Sequence, residues 1–256
     1  MSSGLLLRHD TGGVATLTLN RPQARNALSM ALMAALKTEL DTIDADDTTR
    51  IVVIAGAGQA FCAGHDLHET RGAADHAAIF TACSRLMLRI GSLRCPVIAQ
   101  VHGVATAAGC QLVATCDLAV AADTALFGTP GVNIGLFCST PMVALTRAIG
   151  RKAAMGMLLT GDMVDAAEAL RLGLLNRVVP GAALADTVAA LAAQIASKSR
   201  ATVAIGKQAF YHQAGLPLDE AYAYASTVMT RNMQTADAAE GIDAFLQRRQ
   251  PVWTDA

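Results

Sequence analysis

The segment from Cys95 to Cys116, CPVIAQVHGVATAAGCQLVATC, carries no charged side chain and restricts the fold more than any other part of the chain. Its beginning, Val97–Val101, is apolar with β-branched residues and predicts a buried strand. The small residues of 103–109 then predict a tight turn, and a second apolar segment predicts a helix. Because the first N–H groups of a helix lack intrahelical partners, this turn can hold an anion or an oxyanion.

Two uncharged runs, 95–116 with 22 residues and 124–146 with 23, are long enough to cross a bilayer. The first run contains Gln100, His102 and Gln111, and the second contains Pro130 and Pro141. Polar side chains and helix breakers at this frequency favour buried protein core over a membrane-spanning helix. We therefore predict that no segment spans a membrane.

The composition gives no indication of a nucleic-acid-binding function. The 256 residues have a formal net charge of −1, no basic block and only 4% aromatic residues, so neither an electrostatic footprint nor a base-stacking surface is expected. The 53% of hydrophobic residues is enough for a large core. This length suits one α/β domain or a domain with a helical extension.

Strand-like and helix-like segments alternate along the first 180 residues, and Ser29 is placed as an N-cap for the first helix. This alternation predicts an α/β domain with parallel strands. The residues after Pro180 are predicted to be almost wholly helical. Besides Val97–Val101, the predicted strands are Val14–Leu19, Ile51–Ala55, Asp117–Ala122 and Asn176–Val179; the predicted helices are 76–92, 140–149, 152–160 and 165–172, with a loop at Leu126–Leu136.

The last sixty residues form a separate block with apolar helix faces. One face combines Leu218, Tyr222, Ala225, Met229 and Met233, and a second begins at 242–245. An apolar stripe of this length requires a partner surface, either within the block or on another subunit. We therefore predict an oligomer.

The six cysteines form no CxxC pair and no zinc-like spacing. A large core does not need a disulfide, although one isolated pair is not excluded, and reduced thiols indicate the cytoplasm. The N-terminal sequence MSSGLLLRHDTGG has only three consecutive leucines, which is too short for the apolar region of a signal peptide.

The residues alone give little support to a dinucleotide-binding loop, a metal site or a hydrolase site. The glycines at 56, 58 and 64 do not match the GxGxxG dinucleotide motif. The pair His65 and His68 lacks a third metal ligand, so no metal is predicted. A hydrolase built on Ser139 or Cys138, with nearby His102 and Asp117, lacks the GxSxG elbow and a clearly positioned base.

Taken together, the motifs resemble the crotonase, or enoyl-CoA hydratase/isomerase, superfamily. This resemblance covers nearly the whole chain and implies an α/β fold made of a spiral of ββα repeats over 1–195 and a C-terminal helical trimerisation region over 196–256. The matching segments are NRPQARNALS at 20–29, AFCAGHDL at 60–67, residues 101–117, FGTPGVNIG at 127–135, LGLLNRVV at 172–179 and EGIDAFLQRR at 240–249. Three further segments, GLFCSTP at 135–141, GKQAFYHQ at 206–213 and RRQPVW at 248–253, are typical of one branch.

The resemblance implies an acyl-CoA thioester as substrate and no separate cofactor, since coenzyme A is part of the substrate. In this family the thioester oxygen lies between two backbone N–H groups, here those of His65 and Ala108. The implied oligomer is a homotrimer or a dimer of trimers. The implied substrate-binding residues are Arg25, Ala63, Asp66, Leu67, His68 and, from a neighbouring subunit, Arg248.

The chain departs from the family at the proton-transferring groups. Classical hydratases add water with two glutamates, whose positions hold Gln111 and Gly131 here. An amide cannot exchange a proton near neutral pH, and glycine has no side chain to contribute. Ser139 stands where related dienoyl-CoA isomerases have an aspartate. His65 is the nearby side chain whose reference pKa suits proton transfer.

Three hypotheses follow. The first is an enzyme that stabilises a thioester enolate without the usual glutamates. The second is a catalytically silent acyl-CoA-binding or scaffold protein that has kept the fold and the oligomer. The third is a thioesterase or acyl transferase that uses Cys138 or Ser139.

Overall fold

The computed structural model describes residues 4–255 and contains two β-sheets. The strands are β1 Leu6–Thr11, β2 Val14–Leu19, β3 Ile51–Gly56, β4 Ala60–Cys62, β5 Val97–Val101, β6 Val104–Thr106, β7 Leu118–Ala122, β8 Leu126–Gly128, β9 Met163–Asp165 and β10 Arg177–Val179. The larger sheet has six strands in the order β1-β2-β3-β5-β7-β10, with β1 antiparallel to β2 and the other neighbours parallel. The smaller sheet has the order β4-β6-β8-β9.

Eleven α-helices lie within the described part of the chain, and the region after Pro180 is helical as predicted. Ser29 caps the first helix by accepting a hydrogen bond from the Leu32 N–H, which confirms its predicted role. The helices are α1 Met30–Ala45, α2 Leu67–Gly72, α3 His76–Ser92, α4 Ala108–Thr115, α5 Ser139–Ala148, α6 Arg151–Thr160, α7 Ala166–Leu172, α8 Leu184–Ala196, α9 Arg200–Gln213, α10 Leu218–Met233 and α11 Ala236–Gln247.

The predicted strands are all present within a residue or two of their predicted ends, but five shorter or edge strands were missed. One of these, β8, lies in Leu126–Leu136, and a 3-10 helix follows it at Pro130–Ile134, so the prediction of an irregular loop there was wrong. Strands of three residues are too short to produce an alternating pattern. Their pairing partners are distant in sequence, which is why only the tertiary structure defines them.

The larger sheet separates two hydrophobic layers because successive side chains of a strand point to opposite faces. Ile51 and Val53 on β3 pack with Leu184 and Val188 of α8. The alternate residue Val52 belongs to the main core with α1, α3 and α4. The uncharged segment 95–116 is thus buried core, as predicted, and no helix in the described ranges is both long and apolar enough to cross a membrane.

A buried ion pair fastens the C-terminal helices to the core. Lys207 of α9 donates to Asp117 (2.7 Å) and to the backbone oxygens of Ile90 and Cys95 (3.0 Å each). The Asp117 carboxylate also accepts from the Val97 N–H (2.7 Å). Because the pair joins α9, beyond position 196, to β5 and β7, the helical block and the core share this anchor.

The exposed apolar residues of α10 and α11 form the faces that the sequence predicted. Leu218 is 75% exposed, Tyr222 70% and Phe245 82%. Exposed apolar surface of this extent is typical of a contact with another subunit. The division at 195/196 and the trimer remain predictions.

Substituting Lys207 by methionine should destabilise the protein strongly. The Asp117 carboxylate would lose its buried partner, and such a loss costs about 3–5 kcal/mol. Denaturant unfolding measures this difference, and Lys198→Met, which changes an exposed lysine, should shift the unfolding free energy by less than about 0.5 kcal/mol. Equal effects of the two substitutions would contradict the anchoring role of Lys207.

Candidate functional site

A buried asparagine organises the first motif of the site. The Asn26 side chain accepts from the Arg21 N–H (2.9 Å) and donates to the carbonyls of Ala57 (2.8 Å) and Ala60 (2.7 Å). Its φ of 54° lies in the left-handed region, which asparagine tolerates better than most residues. Asn26 therefore joins the 20–29 segment to the loop that leads into the site.

The Asp66 carboxylate has structural partners. It accepts from Arg21 Nη2 (2.8 Å) and from the His68 N–H (3.1 Å), and in the second contact it caps α2. The hydrogen bond from Arg21 holds the pKa of Asp66 below its usual value. The Asp66 carboxylate thus positions the 63–68 loop, and the predicted substrate-binding role of Asp66 stays a prediction.

The backbone of His65 is held in place by a parallel bridge to Leu28. The Leu28 N–H donates to the Gly64 carbonyl (2.7 Å), and the Asp66 N–H donates to the Leu28 carbonyl (3.2 Å). In this pairing both hydrogen bonds of Leu28 are made with the neighbours of His65, Gly64 and Asp66, and not with His65 itself. The N–H of His65 therefore points away from Leu28.

The His65 loop lies directly against the turn that precedes α4. Gly64 has a φ of +99°, and a Cβ placed on it would lie 3.0 Å from Ala107 Cβ, 3.2 Å from Thr106 O and 3.5 Å from Ala108 N. A larger residue would both strain the backbone and separate the two segments. The sequence-predicted residues His65 and Ala108 are thus brought to neighbouring backbone positions.

Ala108 is the first residue of α4, and the positive φ that the turn requires falls on Ala107, at 49°. The Ala107 N–H donates to Gly128 O (2.9 Å), which ties the turn to β8. At the first helical position, the Ala108 N–H has no intrahelical acceptor. On the next residue, Gly109, a Cβ would overlap the Cys62 carbonyl oxygen, so only glycine fits there.

Gln111 follows one turn into α4 and is buried, with 4% of its surface exposed. Its Oε1 is 3.9 Å from Cys83 Sγ of α3. Burial raises the pKa of the Cys83 thiol to about 11, so this neighbour is neutral. The Gln111 amide is therefore uncharged, and so is the Cys83 thiol that it contacts.

A cavity of about 990 Å³ opens beside Gln111 between α3, α4, α5 and α9. Leu88, Val143 and Phe210 contribute apolar walls, and Thr140 contributes a hydroxyl. This volume is at the upper end of the range for small-molecule sites. The described chain thus has space for an extended, mostly apolar group next to Gln111.

The His65 ring packs edge-on against Phe80 of α3, with the ring centroids 5.4 Å apart. Its Nε2 is buried and has no hydrogen-bond partner among residues 4–255. Burial lowers the pKa of His65 below its usual value of 6.5. The imidazole is therefore neutral at pH 7.

Gly131 lies where the following loop folds back on the chain. Its carbonyl accepts from the Leu136 N–H (2.9 Å). A Cβ at this position would overlap the Leu136 carbonyl oxygen and lie 2.9 Å from Cys138 Sγ. The loop as folded has no room for a glutamate at position 131.

The predicted hydrolase residues do not form a catalytic arrangement. Ser139 Oγ donates to Phe137 O (3.3 Å), and burial raises the pKa of Cys138, which disfavours the thiolate. His102 contacts Gly58 O (2.9 Å), and Asp117 is bound to Lys207. All six cysteines are buried, and none is joined in a disulfide within residues 4–255.

The remaining predicted binding residues lie at the edge of the site or far along the chain. The Arg25 carbonyl accepts from the Ala63 N–H (3.0 Å), while Leu67 and His68 are exposed at the start of α2. Arg248 caps α11 with a φ of 55°. Within the described ranges, no three His, Cys, Asp or Glu side chains come together in a way that could hold a metal ion.

A profile of the enoyl-CoA hydratase/isomerase family matches residues 9–256. The chain belongs to the enoyl-CoA hydratase/isomerase family. This match confirms the resemblance that the motifs indicated. Membership of the family supports a hydratase-like enzyme, without specifying the reaction.

Two relatives illustrate the similarity within the enoyl-CoA hydratase/isomerase family. Human enoyl-CoA hydratase domain-containing protein 3, mitochondrial, is 48% identical over 246 residues, which cover 94% of this chain and 81% of that protein. Its crystal structure has a TM-score of 0.94 at 45% identity, covering 97% of this chain and all of that one. A structure of enoyl-CoA hydratase from Mycobacterium smegmatis has a TM-score of 0.96 at 53% identity. The match covers 98% of this chain and 99% of that one.

These structures confirm the predicted crotonase-type α/β fold, and the match to the domain-containing protein 3 group confirms the branch indicated by the three further segments. Three residues that support the site were missed by sequence analysis, namely Arg21, Asn26 and Phe80. Arg21 and Asn26 both lie within the matched 20–29 segment, so the motif itself contained the signal. Nothing in the local sequence marked Phe80, because its contact with His65 crosses the fold.

Substituting Gly131 by alanine should lower stability through the steric overlap described above. We expect a loss of about 1–3 kcal/mol, typical of overpacking at a buried position. Gly150→Ala is the matched control, because a Cβ at Gly150 has nothing within 4 Å. Thermal or denaturant unfolding of both variants measures the difference, and a Gly131→Ala protein as stable as Gly150→Ala would contradict the closed loop.

Proposed function

We propose that the chain binds an acyl-CoA thioester and stabilises the enolate of its acyl group between the backbone N–H groups of His65 and Ala108. The observation that carries this proposal is the contact of Gly64 with Ala107 and Ala108. In support of this proposal, Gly64 precedes His65, whose N–H points away from Leu28, and Ala108 is the first residue of a helix. Family membership supports the acyl-CoA substrate class.

The proposed site stabilises negative charge with backbone dipoles. Removing one donor from a preorganised oxyanion hole typically costs about 2.7–4 kcal/mol of transition-state stabilisation. The N-terminus of α4 adds the positive end of a helix dipole. Since side chains do not provide these donors, the site tolerates a histidine at position 65 and an alanine at position 108.

For the rest of the substrate, we propose that the acyl group extends into the cavity beside Gln111. Coenzyme A would lie along the 63–68 loop near Arg25, with the backbone around Asp66 shaping the loop. Arg248 of a second subunit would meet a phosphate, which requires the proposed trimer or dimer of trimers. No separate cofactor enters the scheme.

The proposed reaction class excludes efficient hydration by the two-glutamate mechanism. Gln111 and Gly131 stand at the proposed glutamate positions, and general acid–base groups contribute about 10²–10⁴-fold each. The two N–H donors would still support a reaction that forms an enolate without adding water, such as an isomerisation.

A second candidate is a catalytically silent acyl-CoA-binding or scaffold protein. It is favoured by the loop at Gly131, whose contacts with Leu136 and Cys138 occupy the space for an acid–base side chain. This candidate predicts acyl-CoA binding without turnover. Steady conversion of any acyl-CoA, lost on changing residues of the site, would eliminate it. A thioesterase has less support, because Ser139 and Cys138 lack a base.

For the compartment, we propose the cytoplasm, on the basis of the free thiols. The printed name of the human relative places that protein in mitochondria. Free thiols also suit a mitochondrial matrix, so cell fractionation of the full chain decides between the two compartments.

Gly64→Ala tests the proposed pair of N–H donors. The added Cβ should separate the His65 loop from Ala107 and weaken polarisation of the thioester carbonyl. With an acyl-CoA labelled with ¹³C at the carbonyl, the infrared stretch should fall on binding to the natural protein and fall less on binding to the variant. Calorimetry with the same ligand gives the accompanying loss of affinity, which we expect to be at least tenfold.

Gly12→Ala is the matched control for that experiment. Gly12 also has a positive φ (+57°), but a Cβ there meets nothing within 4 Å. It should therefore reproduce the backbone strain without changing the carbonyl stretch. If the natural protein bound no acyl-CoA, or bound it with an unshifted carbonyl, the proposed function would be wrong.

Gln111→Glu tests the assignment of the hydratase position. A glutamate there would supply one of the two proton-transfer groups, and its buried setting would keep it near a useful pKa. Hydration of crotonyl-CoA, followed by loss of enoyl absorbance, should rise by at least tenfold. Gln194→Glu, at an exposed position of α8, should leave the rate unchanged. A folded, ligand-binding Gln111→Glu protein without any gain would contradict the placement of Gln111 at the reaction centre.

A further inference from the structure

The side-chain amide of Gln111 is held at one end by a neutral thiol. Its Oε1 accepts from Cys83 Sγ (3.9 Å), and burial raises the pKa of that thiol to about 11, so Cys83 keeps its proton. Because a thiol that donates faces the amide oxygen, the NH₂ group of Gln111 is turned away from it. Among residues 4–255, no acceptor takes a hydrogen bond from Nε2, and Gln111 lines the cavity described above. Nε2 is therefore the donor that Gln111 offers to a molecule in this cavity.

Gln111 lies on the same face of α4 as Ala108, whose N–H is one of the two proposed oxyanion donors. Residues three apart in a helix have Cβ atoms about 5–6 Å from each other, and helical side chains lean toward the N-terminus. The Gln111 N–H donates to the Ala107 carbonyl (2.9 Å), which fixes this first turn. An acyl group whose thioester oxygen is bound at Ala108 would thus bring the atoms just beyond its α-carbon to the Gln111 amide.

The cavity offers no free acid or base next to Gln111. No histidine or glutamate of the described chain lines it, and its one carboxylate, Asp117, lies beyond the other end of α4. Asp117 accepts from Lys207 (2.7 Å) and from the Tyr211 hydroxyl (2.8 Å), so it already has its partners. A substrate in this cavity therefore has to form an enolate without a side-chain base from the cavity wall.

Thioesters differ widely in how readily they form an enolate. The α-proton of a simple acyl thioester is only weakly acidic, and its removal requires a positioned base. In a 3-oxoacyl thioester the α-carbon lies between two carbonyl groups, and both oxygens share the negative charge that results. This proton passes to hydroxide in the solvent without help from a side chain. A site that has N–H donors but no base therefore suits the 3-oxoacyl class.

We propose that the substrate is a 3-oxoacyl-CoA and that Gln111 selects it by donating Nε2–H to the oxygen at C3. This inference rests on the proposed function. When the Cα–H bond breaks, the proton passes to hydroxide from the solvent, which becomes water. The electron pair of that bond forms a double bond from the α-carbon. The charge is shared by the thioester oxygen, between the N–H groups of His65 and Ala108, and the oxygen at C3, beside Gln111. The step requires no oxidant or reductant.

Three ligands of equal chain length test this selection on the natural protein, namely 3-oxohexanoyl-CoA, 3-hydroxyhexanoyl-CoA and hexanoyl-CoA. Calorimetry should show the 3-oxo ligand binding at least tenfold more tightly than hexanoyl-CoA, because hexanoyl-CoA leaves a buried donor unpaired. At pH 7, where the free 3-oxo ligand is mainly in the keto form, binding should also produce the near-ultraviolet absorbance of the conjugated enolate. Equal affinities for these two ligands, or tighter binding of the 3-hydroxy ligand, would overturn the inference.

Gln111→Met removes the donor and keeps a side chain of similar length. This variant should bind 3-oxohexanoyl-CoA at least tenfold more weakly, bind hexanoyl-CoA no more weakly, and lose the enolate absorbance. Gln194→Met, at an exposed position of α8, should match the natural protein in all three respects. A folded Gln111→Met protein that keeps the preference for the 3-oxo ligand would contradict the role of Gln111. The comparison of ligands on the natural protein does not depend on how the variant folds.

The infrared experiment separates failure of this inference from failure of the proposed function. If the natural protein polarises the carbonyl of a simple acyl-CoA but shows no preference for the 3-oxo ligand, only this inference is overturned. An unpolarised carbonyl in the natural protein overturns the proposed function itself.

Discussion

The close approach of two backbone segments, the 62–66 loop and the turn before α4, is the constraint on which the site depends. Gly64 and Gly109 make it possible, since a Cβ at either position would press against the opposite segment. The loop side is held by Asn26 and by the Arg21–Asp66 pair, and the turn side by the Ala107 hydrogen bond to Gly128. The position of the two N–H groups thus follows from packing and hydrogen bonds at some distance from them.

The proposed site is made of backbone groups, and such a site would leave its side chains open to change. His65 and Gln111 present a neutral imidazole and a neutral amide, and burial keeps the adjacent Cys83 thiol neutral. In such an uncharged, buried setting, two N–H dipoles interact more strongly with a developing oxyanion than they would in water. The same setting disfavours an isolated charged base.

Much of the fold was predictable because it depends on local patterns. The central strands and most helices have clear apolar periodicity, and Ser29 carries a recognisable cap. The missed strands of three residues depend on partners far along the chain, as do the contacts of Phe80 and Lys207. In the candidate site, the roles of His65, Ala108 and Asp66 come from the family resemblance and stay predictions. That the Asp66 carboxylate caps a helix and pairs with Arg21 is visible only in the tertiary structure.

The sequence by itself determined the family, the α/β class and the neutral residues at positions 111 and 131, because these depend on residue identity, order and spacing. Only the tertiary structure decided that Gly64 meets Ala107, that the loop after Gly131 leaves no room for a side chain, and that the His65 nitrogen is buried without a partner among the described residues. These features are distances between segments far apart in the chain. A one-dimensional pattern does not encode such distances, since they arise from how the sheets and helices pack.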